Sequence, residues 1–157
     1  MSKETKFFLI QIIVTWFRIG LFKYFPGTIG SIASLPFAAL IIYLGNYLLL
    51  VLFTILIFII GVYLSDKYSK LTNKKDPSEV VIDEVAGQWL VLVFVPLDFK
   101  LYILALVIFR FFDIVKPWPI RIFEKKYEGG FGIMIDDILA AVYSILLFII
   151  IQNMTLI

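Results

Sequence analysis

The chain of 157 residues contains no cysteine and no histidine, which excludes several kinds of catalytic chemistry. Without cysteine there is no thiol nucleophile, and the sequence carries no information about the redox state of its compartment. Without histidine there is no imidazole base, no phosphohistidine intermediate and no histidine metal ligand. Any catalysis must therefore rely on carboxylates, lysine and arginine, hydroxyl groups and a hard metal ion.

Charged residues are also scarce: they make up 17% of the chain, whereas 62% of the residues are hydrophobic and the mean hydropathy is +1.01. Soluble domains average about 25% charged residues. This composition excludes intrinsic disorder, a disulfide scaffold and a basic nucleic-acid-binding module, and the net charge of +2 is too small to identify a partner. We expect a small integral membrane protein with one domain over residues 1–157.

Apolar runs separated by turn signals predict an all-α protein. Five runs have this character: 32–44, 47–64, 85–95, 101–112 and 138–151. Turn signals at 45–46 and 96–100 join the first four runs into two helical hairpins, and the fifth run is a final helix. We expect a compact, membrane-integrated bundle of about four to six apolar helices. Since about 20 residues are needed to span a bilayer, the shorter runs either extend into their polar flanks or are half-spans.

The charged residues concentrate in three segments that alternate with these hairpins: 20–31, 65–84 and 113–137. They hold 19 of the 26 charged residues. One face of the membrane therefore collects almost all reactive groups, and the many lysines there place that face in the cytoplasm. A further apolar run, 7–17, precedes these five. If it crossed the membrane, Lys3 and Lys6 would lie on the face opposite the other lysines, so we expect it to lie at the interface.

The segment Pro26-Gly27-Thr28-Ile29-Gly30-Ser31 precedes an apolar run and is a candidate phosphate cradle. Gly27 and Gly30 permit close approach of the backbone. Thr28 and Ser31 supply hydroxyl groups beside a helix N-terminus, where free N–H groups bind phosphate. The alternative is an ordinary loop in which Ser31 is the N-cap of the following helix.

The segment Asp76-Pro77-Ser78-Glu79 predicts a helix start, with Asp76 as N-cap, Pro77 at the first position and Glu79 completing a capping box. Asp83 and Glu84 would then lie one to two turns inside that helix, where Gly87 leaves bare backbone on the face of Asp83. Ionisable groups at the edge of an apolar bundle are costly and usually functional. The alternative is two solvated acids at the membrane surface.

Arg110, Asp113 and Lys116 recur every three residues along one helical stripe, and Pro117 ends that helix. The stripe is either an ion-pair ladder or two phosphate-binding cations beside a metal ligand or nucleophile.

Asp136 and Asp137 follow a glycine-rich segment and open the last apolar helix. One of them could be the N-cap while the other points about 100° away, towards a site. Carboxylates are typical ligands of Mg²⁺ ions that also bind a substrate phosphate. We therefore expect carboxylate-held Mg²⁺ and an amphiphilic substrate whose phosphate lies at the level of the lipid headgroups.

Four motifs together resemble the bacterial phosphatidylglycerophosphatase A family: PGTIGS (26–31), IDEVAGQW (82–89), FRFFDIVKPWPIRIF (109–123) and GGFGIMIDDILAA (129–141). The resemblance covers about residues 20–145. It implies an all-α, Mg²⁺-dependent lipid phosphatase of the bacterial inner membrane that converts phosphatidylglycerophosphate to phosphatidylglycerol. One departure is that Lys23-Tyr24-Phe25 precede Pro26, where family members usually have a Pro-x-Ala/Val-Pro-Gly-Thr run.

Our hypothesis for the mechanism divides these residues into three groups. Asp113 acts as nucleophile or general base, unless a metal-bound water takes that role, and the adjacent cations Arg110 and Lys116 hold the phosphate and offset transition-state charge. The phosphate cradle comprises Gly27, Thr28, Gly30 and Ser31, and the Mg²⁺ ligands are Asp83, Glu84, Asp136 and Asp137. The expected partners are the phospholipid substrate and the membrane.

Other functional classes compete with this interpretation. Phosphatases that form phosphohistidine need a histidine, and the long Asp-Gly…Ala-Arg pattern of CDP-alcohol phosphotransferases is not found. A non-catalytic anionic-lipid-binding or assembly protein would suit the lysines of segment 65–84 but leaves the acids at 83–84, 113 and 136–137 unexplained. A channel or transporter would carry charges in mid-span. Metal-dependent phosphate release distinguishes the enzyme from both.

Overall fold

The structure is a computed structural model that describes residues 2–155, apart from the side chains of residues 124, 125 and 155. This part of the chain is helical and contains no strand, which confirms the predicted all-α fold. A short 3₁₀ turn, Ile19–Leu21, follows the first helix. The helices are α1 (Lys3–Val14), α2 (Pro26–Thr72), α3 (Ile82–Leu92), α4 (Phe99–Val115), α5 (Ile120–Lys126) and α6 (Gly129–Thr155).

Helix α2 is interrupted at Asn46, whose φ of 77° and ψ of 178° are not helical. The Oδ1 atom of Asn46 accepts a hydrogen bond from Leu48 N (2.9 Å) and thereby caps the helix that follows. We call residues 26–45 the first arm of α2 and residues 47–72 the second arm.

The two arms of α2 fold back on each other. A straight helix would separate residues 30 and 61 by about 46 Å, at 1.5 Å per residue. Instead, Gly30 faces Val81 and Gly61 faces Ile82, which is the next residue of the chain. The hairpin predicted from the Gly45-Asn46 turn is therefore confirmed.

The short helix α3 lies at the centre of the bundle, packed between α2 and α6. Eight of its eleven residues are buried, and Trp89 Nε1 donates a hydrogen bond to the carbonyl oxygen of Ser34 in the first arm (3.0 Å). At about 16 Å it is too short to cross a bilayer. Its apolar residues form part of the core, where they pack against α4 and α6.

The two ends of the bundle differ in character. At one end, which we call the polar end, the starts of α2, α3 and α6 and the end of α4 line a common cavity. At the opposite end, the distal end, Tyr47 donates a hydrogen bond to Val95 O (3.2 Å) and lines a cleft with Gln152. The charged segments therefore meet at one end and the hairpin tips at the other, as predicted.

Two of the described helical stretches are long and apolar enough to cross a membrane by length and composition: Pro26–Thr72 and Gly129–Met154. Helix α1, at about 18 Å, is shorter than a bilayer core. It packs Val14 and Phe7 against Tyr68 near the end of the second arm, and so lies at the polar end.

Candidate active site

Helix α3 begins at Ile82, five residues later than the sequence predicts. Residues 77–80 form a turn, closed by a hydrogen bond from Val80 N to Pro77 O (2.9 Å), and Val81 N donates a hydrogen bond to Val14 O at the end of α1 (2.9 Å). The predicted capping box is wrong, because this contact between distant parts of the chain holds residue 81 outside the helix. Asp83 and Glu84 consequently lie in the first turn of α3 and not deeper within it.

Asp83, Glu84 and Asp137 form a compact group, which we call the carboxylate trio. Asp83 and Glu84 come from α3, and Asp137 reaches them from α6. One oxygen atom of each residue lies within 4.8 Å of the other two. Glu84 Oε2 and Asp137 Oδ2 are buried and have no hydrogen-bond partner among the described residues. Buried, unpaired carboxylate oxygens aimed at one point are suited to holding a cation.

The electrostatics of the first turn of α3 also favour a cation. Burial, followed by the charge of Glu84, raises the pKa of Asp83 well above its usual range. Burial is also the main reason that the pKa of Glu84 is raised, although Arg110 opposes the shift. A bound cation would offset both the burial cost and the mutual repulsion of the carboxylates. A donor set made only of oxygen fits a hard ion such as Mg²⁺.

Gly87 brings α6 close enough for Asp137 to join the trio. A Cβ atom at position 87 would lie 2.8 Å from the ring of Phe109 and 2.9 Å from the carbonyl oxygen of Asp137. Both contacts are shorter than van der Waals separation, so α3 and α6 could not pack as they do around a larger residue. The bare backbone that the sequence places beside Asp83 is thus used for helix packing.

Gly27 has a similar role at the start of α2. A Cβ atom there would overlap Glu84 Oε1 and lie 3.1 Å from Arg110 Nη2. Arg110 Nη1 lies 2.5 Å from Asp113 Oδ2 and 3.7 Å from Glu84 Oε1. Arg110 therefore connects Asp113 to the carboxylate trio, beneath the first turn of α2.

Asp136 and Lys116 form a separate pair. Lys116 Nζ lies 2.5 Å from Asp136 Oδ2, and Lys116 is the C-cap of α4, with a left-handed backbone (φ 45°). Helix α6 already begins at Gly129, so neither Asp136 nor Asp137 is its N-cap. The alternative that one aspartate only caps the helix is therefore wrong, and the acids lie about two turns inside α6.

The predicted phosphate cradle is only partly assembled. Helix α2 begins at Pro26, so the segment is helical and not a loop. Gly30 packs against Val81, and the buried hydroxyl of Ser31 donates to Gly27 O (3.0 Å). Gly30 and Ser31 are not among the residues that line the cavity, because the helical turn directs Gly30 towards Val81 and buries Ser31.

The remaining predicted site residues line one cavity of about 410 Å³ at the polar end. Residues 76–78 and the exposed residues Phe25 and Ile114 also line it. The cavity thus places cations, acids and a helix N-terminus around one space that can accept a phosphate group. The predicted residues that line it are Gly27, Thr28, Asp83, Glu84, Arg110, Asp113, Lys116, Asp136 and Asp137.

The sequence profile of the family described as phosphatidylglycerophosphatase A matches residues 12–152. The chain belongs to the phosphatidylglycerophosphatase A family. The Haemophilus influenzae protein named phosphatidylglycerophosphatase A is 40% identical over 144 residues, covering 91% of this chain and 88% of the relative. The Escherichia coli protein of the same name is 42% identical over 138 residues, covering 85% of this chain and 78% of the relative.

A third relative of this phosphatidylglycerophosphatase A-family chain has a different name. The Bacteroides thetaiotaomicron protein carries the provisional name phosphatidylinositol-3-phosphatase and is 39% identical over 153 residues, covering 89% of this chain and 91% of the relative. All three relatives are named as phosphatases of phospholipid headgroups. No solved structure matches the chain.

Sequence reasoning did not single out two polar residues of this phosphatidylglycerophosphatase A-family chain, one that lines the cavity and one that is buried within α3. Asp76 lines the cavity and also a neighbouring one of about 270 Å³, and its position before a proline suggested only a helix cap. Gln88 is fully buried, one turn after Glu84, and neither its Oε1 nor its Nε2 has a hydrogen-bond partner among the described residues. Its presence in the IDEVAGQW motif was the only signal for it.

Proposed function

We propose that this chain hydrolyses the terminal phosphate monoester of phosphatidylglycerophosphate, giving phosphatidylglycerol and inorganic phosphate, with Mg²⁺ as cofactor. The carboxylate trio, which faces the same cavity as Arg110 and Asp113, is the observation that carries this proposal. The names of the Haemophilus influenzae and Escherichia coli relatives support the substrate.

Asp83, Glu84 and Asp137 would hold the Mg²⁺ ion, each with one carboxylate oxygen. Mg²⁺ prefers six oxygen ligands and often shares them between protein, water and substrate phosphate, so three protein ligands leave room for the substrate. When bound, the ion supplies Lewis-acid stabilisation of negative charge on the phosphoryl oxygens. Asp136 is left out of the ligand set because it is paired with Lys116.

Arg110, Lys116 and the first turn of α2 would bind the phosphate oxygens. The guanidinium group of Arg110 has five N–H donors, so its contact with Asp113 leaves others for a phosphate. Lys116 likewise has three donors. Thr28 contributes a hydroxyl group beside the positive end of the α2 helix dipole. These groups offset the charge that develops on the phosphoryl oxygens during transfer.

Asp113 is the group that we assign to the attack on phosphorus. As a nucleophile it would form an aspartyl phosphate while the P–O bond to glycerol breaks and the leaving oxygen takes a proton from a water molecule; the hydroxide formed would then hydrolyse the aspartyl phosphate and restore the carboxylate. As a general base it would remove a proton from the attacking water, with the same bond breaking. Rapid acid quenching with ³²P-labelled substrate separates the two routes, since only the first leaves label on the protein.

We further infer that the protein is a multi-pass protein of the bacterial inner membrane, with its polar end in the cytoplasm. The two arms of α2 and helix α6 supply the apolar length, and the lysine-rich loops follow the positive-inside rule. Because the chain has no native cysteine, single cysteines at Lys70 and Asp98 can report topology. In spheroplasts, an impermeant maleimide should label position 98, and position 70 only after lysis.

The test of the proposed activity is phosphate release from phosphatidylglycerophosphate in detergent micelles, with Mg²⁺ and with EDTA. We expect release to stop in EDTA and to return with added Mg²⁺. A parallel assay with phosphatidylinositol 3-phosphate tests the substrate suggested by the third relative's name. Folded protein that releases no phosphate from either lipid would contradict the proposal and favour a non-catalytic lipid-binding role.

A further inference from the structure

The mouth of the cavity has two chemically different sides. On the side of α2 and α4 lie Phe25 and Ile114, which are 78% and 69% exposed although both line the cavity. On the side of α6 lies the exposed Asp76, which also lines the neighbouring cavity with Lys75 and Glu128. An amphiphile bound here would therefore meet apolar groups on one side and polar groups on the other.

The apolar side of the mouth continues along α4 towards the distal end. Ile103, Val107, Phe111 and Ile114 are all exposed. Their spacings of four, four and three residues put them on one face of the helix. The stripe is about 16 Å long, at 1.5 Å per residue, and begins at the cavity. We call Phe25 and these four residues the apolar track.

The backbone at Phe25 holds its side chain at the mouth in a conformation that is unfavourable for an aromatic residue. Its φ is 50° and its ψ is 49°, in the left-handed region, which costs roughly 1–2 kcal/mol for a residue with a Cβ atom. Pro26 disfavours the right-handed helical conformation for the residue before it. Such local strain is typical of functional positions, and here it coincides with an exposed ring beside the reactive groups.

We propose that the apolar track binds the acyl chains of the phospholipid, and that the substrate reaches the site laterally from the membrane between Phe25 and Ile114. This inference rests on the proposed function. In the proposed substrate, about eleven bonds separate the terminal phosphorus from the first acyl carbonyl carbon, or roughly 13 Å at the ~1.2 Å per bond of an extended chain. Arg110 precedes Ile114 by one helical turn of α4, about 6 Å, so a lipid with its phosphate at Arg110 would extend its acyl chains past the mouth and onto the track.

The polar side of the mouth then has a complementary role. Inorganic phosphate released beside Lys116 can leave past Asp76 and Ser78 into water without crossing the apolar track. Lipid product can withdraw along the track into the bilayer. The two products of one reaction therefore have separate paths of matching polarity.

A series of substrates with different acyl chains tests this inference: dioleoyl and dihexanoyl phosphatidylglycerophosphate, and the deacylated headgroup. The variants are Phe25→Ala, Ile114→Ala and their combination. The matched control is Phe99→Ala, because Phe99 is 79% exposed but lies at the other end of α4. kcat/KM is measured for each substrate in the same detergent, and circular dichroism verifies that each variant is folded.

We expect the double variant to lower kcat/KM for the dioleoyl substrate at least about tenfold, mainly through KM, since two apolar contacts are lost. The loss on the dihexanoyl substrate should be smaller than on the dioleoyl substrate, the value for the deacylated headgroup should change less than about twofold, and Phe99→Ala should behave as wild type. An equal loss on all three substrates, or no loss on the dioleoyl substrate, would overturn the inference. Absence of phosphate release by the wild-type protein from every substrate would overturn the proposed function instead.

Discussion

Gly87 and Asp137 touch across the interface of α3 and α6, and a Cβ atom at position 87 would lie 2.9 Å from the carbonyl oxygen of Asp137. Because Gly87 has no side chain, α3 and α6 can approach closely enough to bring Asp137 to Asp83 and Glu84. Because α3 lies at the centre of the bundle, this contact fixes the distance between the first turn of α3 and Asp137 of α6.

Gly87→Ala should weaken both folding and activity. The added methyl group meets the ring of Phe109 and the backbone of α6, and neither can move without displacing a buried helix. Overpacking of this kind costs about 1–3 kcal/mol. We expect a lower Tm in detergent. Phosphate release, measured on protein that is still folded, should also fall, because the trio is displaced.

Gly45→Ala is the matched control for this substitution. It lies at the distal end, where the three atoms nearest to the added methyl group all belong to the side chain of Leu49, whose terminal methyl group can rotate away. Its Tm and activity should stay close to wild type. If Gly87→Ala and Gly45→Ala had the same effects, the close packing of α3 on α6 would not determine the site.

Asp137→Asn should change the response of the protein to Mg²⁺. A ligand that binds only the folded state at a hundred times its Kd raises stability by about 2.7 kcal/mol, so Mg²⁺ should raise the Tm of the wild-type protein. Asp137→Asn should abolish that rise, because the neutral amide that replaces the carboxylate is a much weaker ligand for the ion. It should also raise the Tm in EDTA, because one of three crowded carboxylates is neutralised.

Asp66→Asn provides the comparison for this metal response, since Asp66 pairs with Lys70 on the surface (2.7 Å) and lies outside the trio. Its Tm should rise with Mg²⁺ as in the wild-type protein. Differential scanning fluorimetry with and without EDTA measures both variants. An undiminished Mg²⁺ response in Asp137→Asn would show that the ion binds elsewhere.

Arg110→Lys should lower kcat/KM about a hundredfold. Lysine keeps the charge but cannot contact Asp113 and Glu84 and also offer a planar pair of donors to a phosphate. Arg121→Lys is the control, because Arg121 is exposed and donates to the carbonyl oxygen of Val115 (3.0 Å). Steady-state kinetics that gave both variants the same small loss would remove Arg110 from the phosphate-binding role.

Asn46 gives a prediction about stability alone. Its φ of 77° and ψ of 178° lie in a region that is almost restricted to glycine. Asn46→Gly should relieve this strain while losing the hydrogen bond from Leu48, whereas Asn46→Ala loses that bond and keeps the strain. We expect the alanine variant to be less stable than the glycine variant by about 1–3 kcal/mol in thermal unfolding. Both variants should have normal activity per folded molecule, because Asn46 lies far from the cavity.

Sequence reasoning succeeded where the signal is local or depends on the number and order of apolar runs. The break at Gly45-Asn46 and the stop before Pro117 follow from backbone preferences of single residues. The meeting of three charged segments at one end follows from alternation with two hairpins. These features need no knowledge of which side chains face each other.

Sequence reasoning failed where a contact between distant parts of the chain outweighs a local preference. The pattern Asp76 to Glu79 is a good helix start, but the hydrogen bond from Val81 to Val14 delays α3 to Ile82. Asp136 and Asp137 are neighbours with the same chemistry, yet one pairs with Lys116 and the other joins the trio. Which aspartate pairs with Lys116 depends on where the end of α4 lies relative to α6. No local sequence pattern indicates that position.

The trio also has a consequence for the timing of biosynthesis. Asp83 and Glu84 lie near the middle of the chain, whereas Asp137 belongs to the last helix. While the ribosome is still making α6, the nascent protein has both arms of α2 and the cation Arg110 but only two of the three acids. A translation product that stops before residue 137 therefore lacks the complete trio, and the proposed activity requires synthesis to pass that residue.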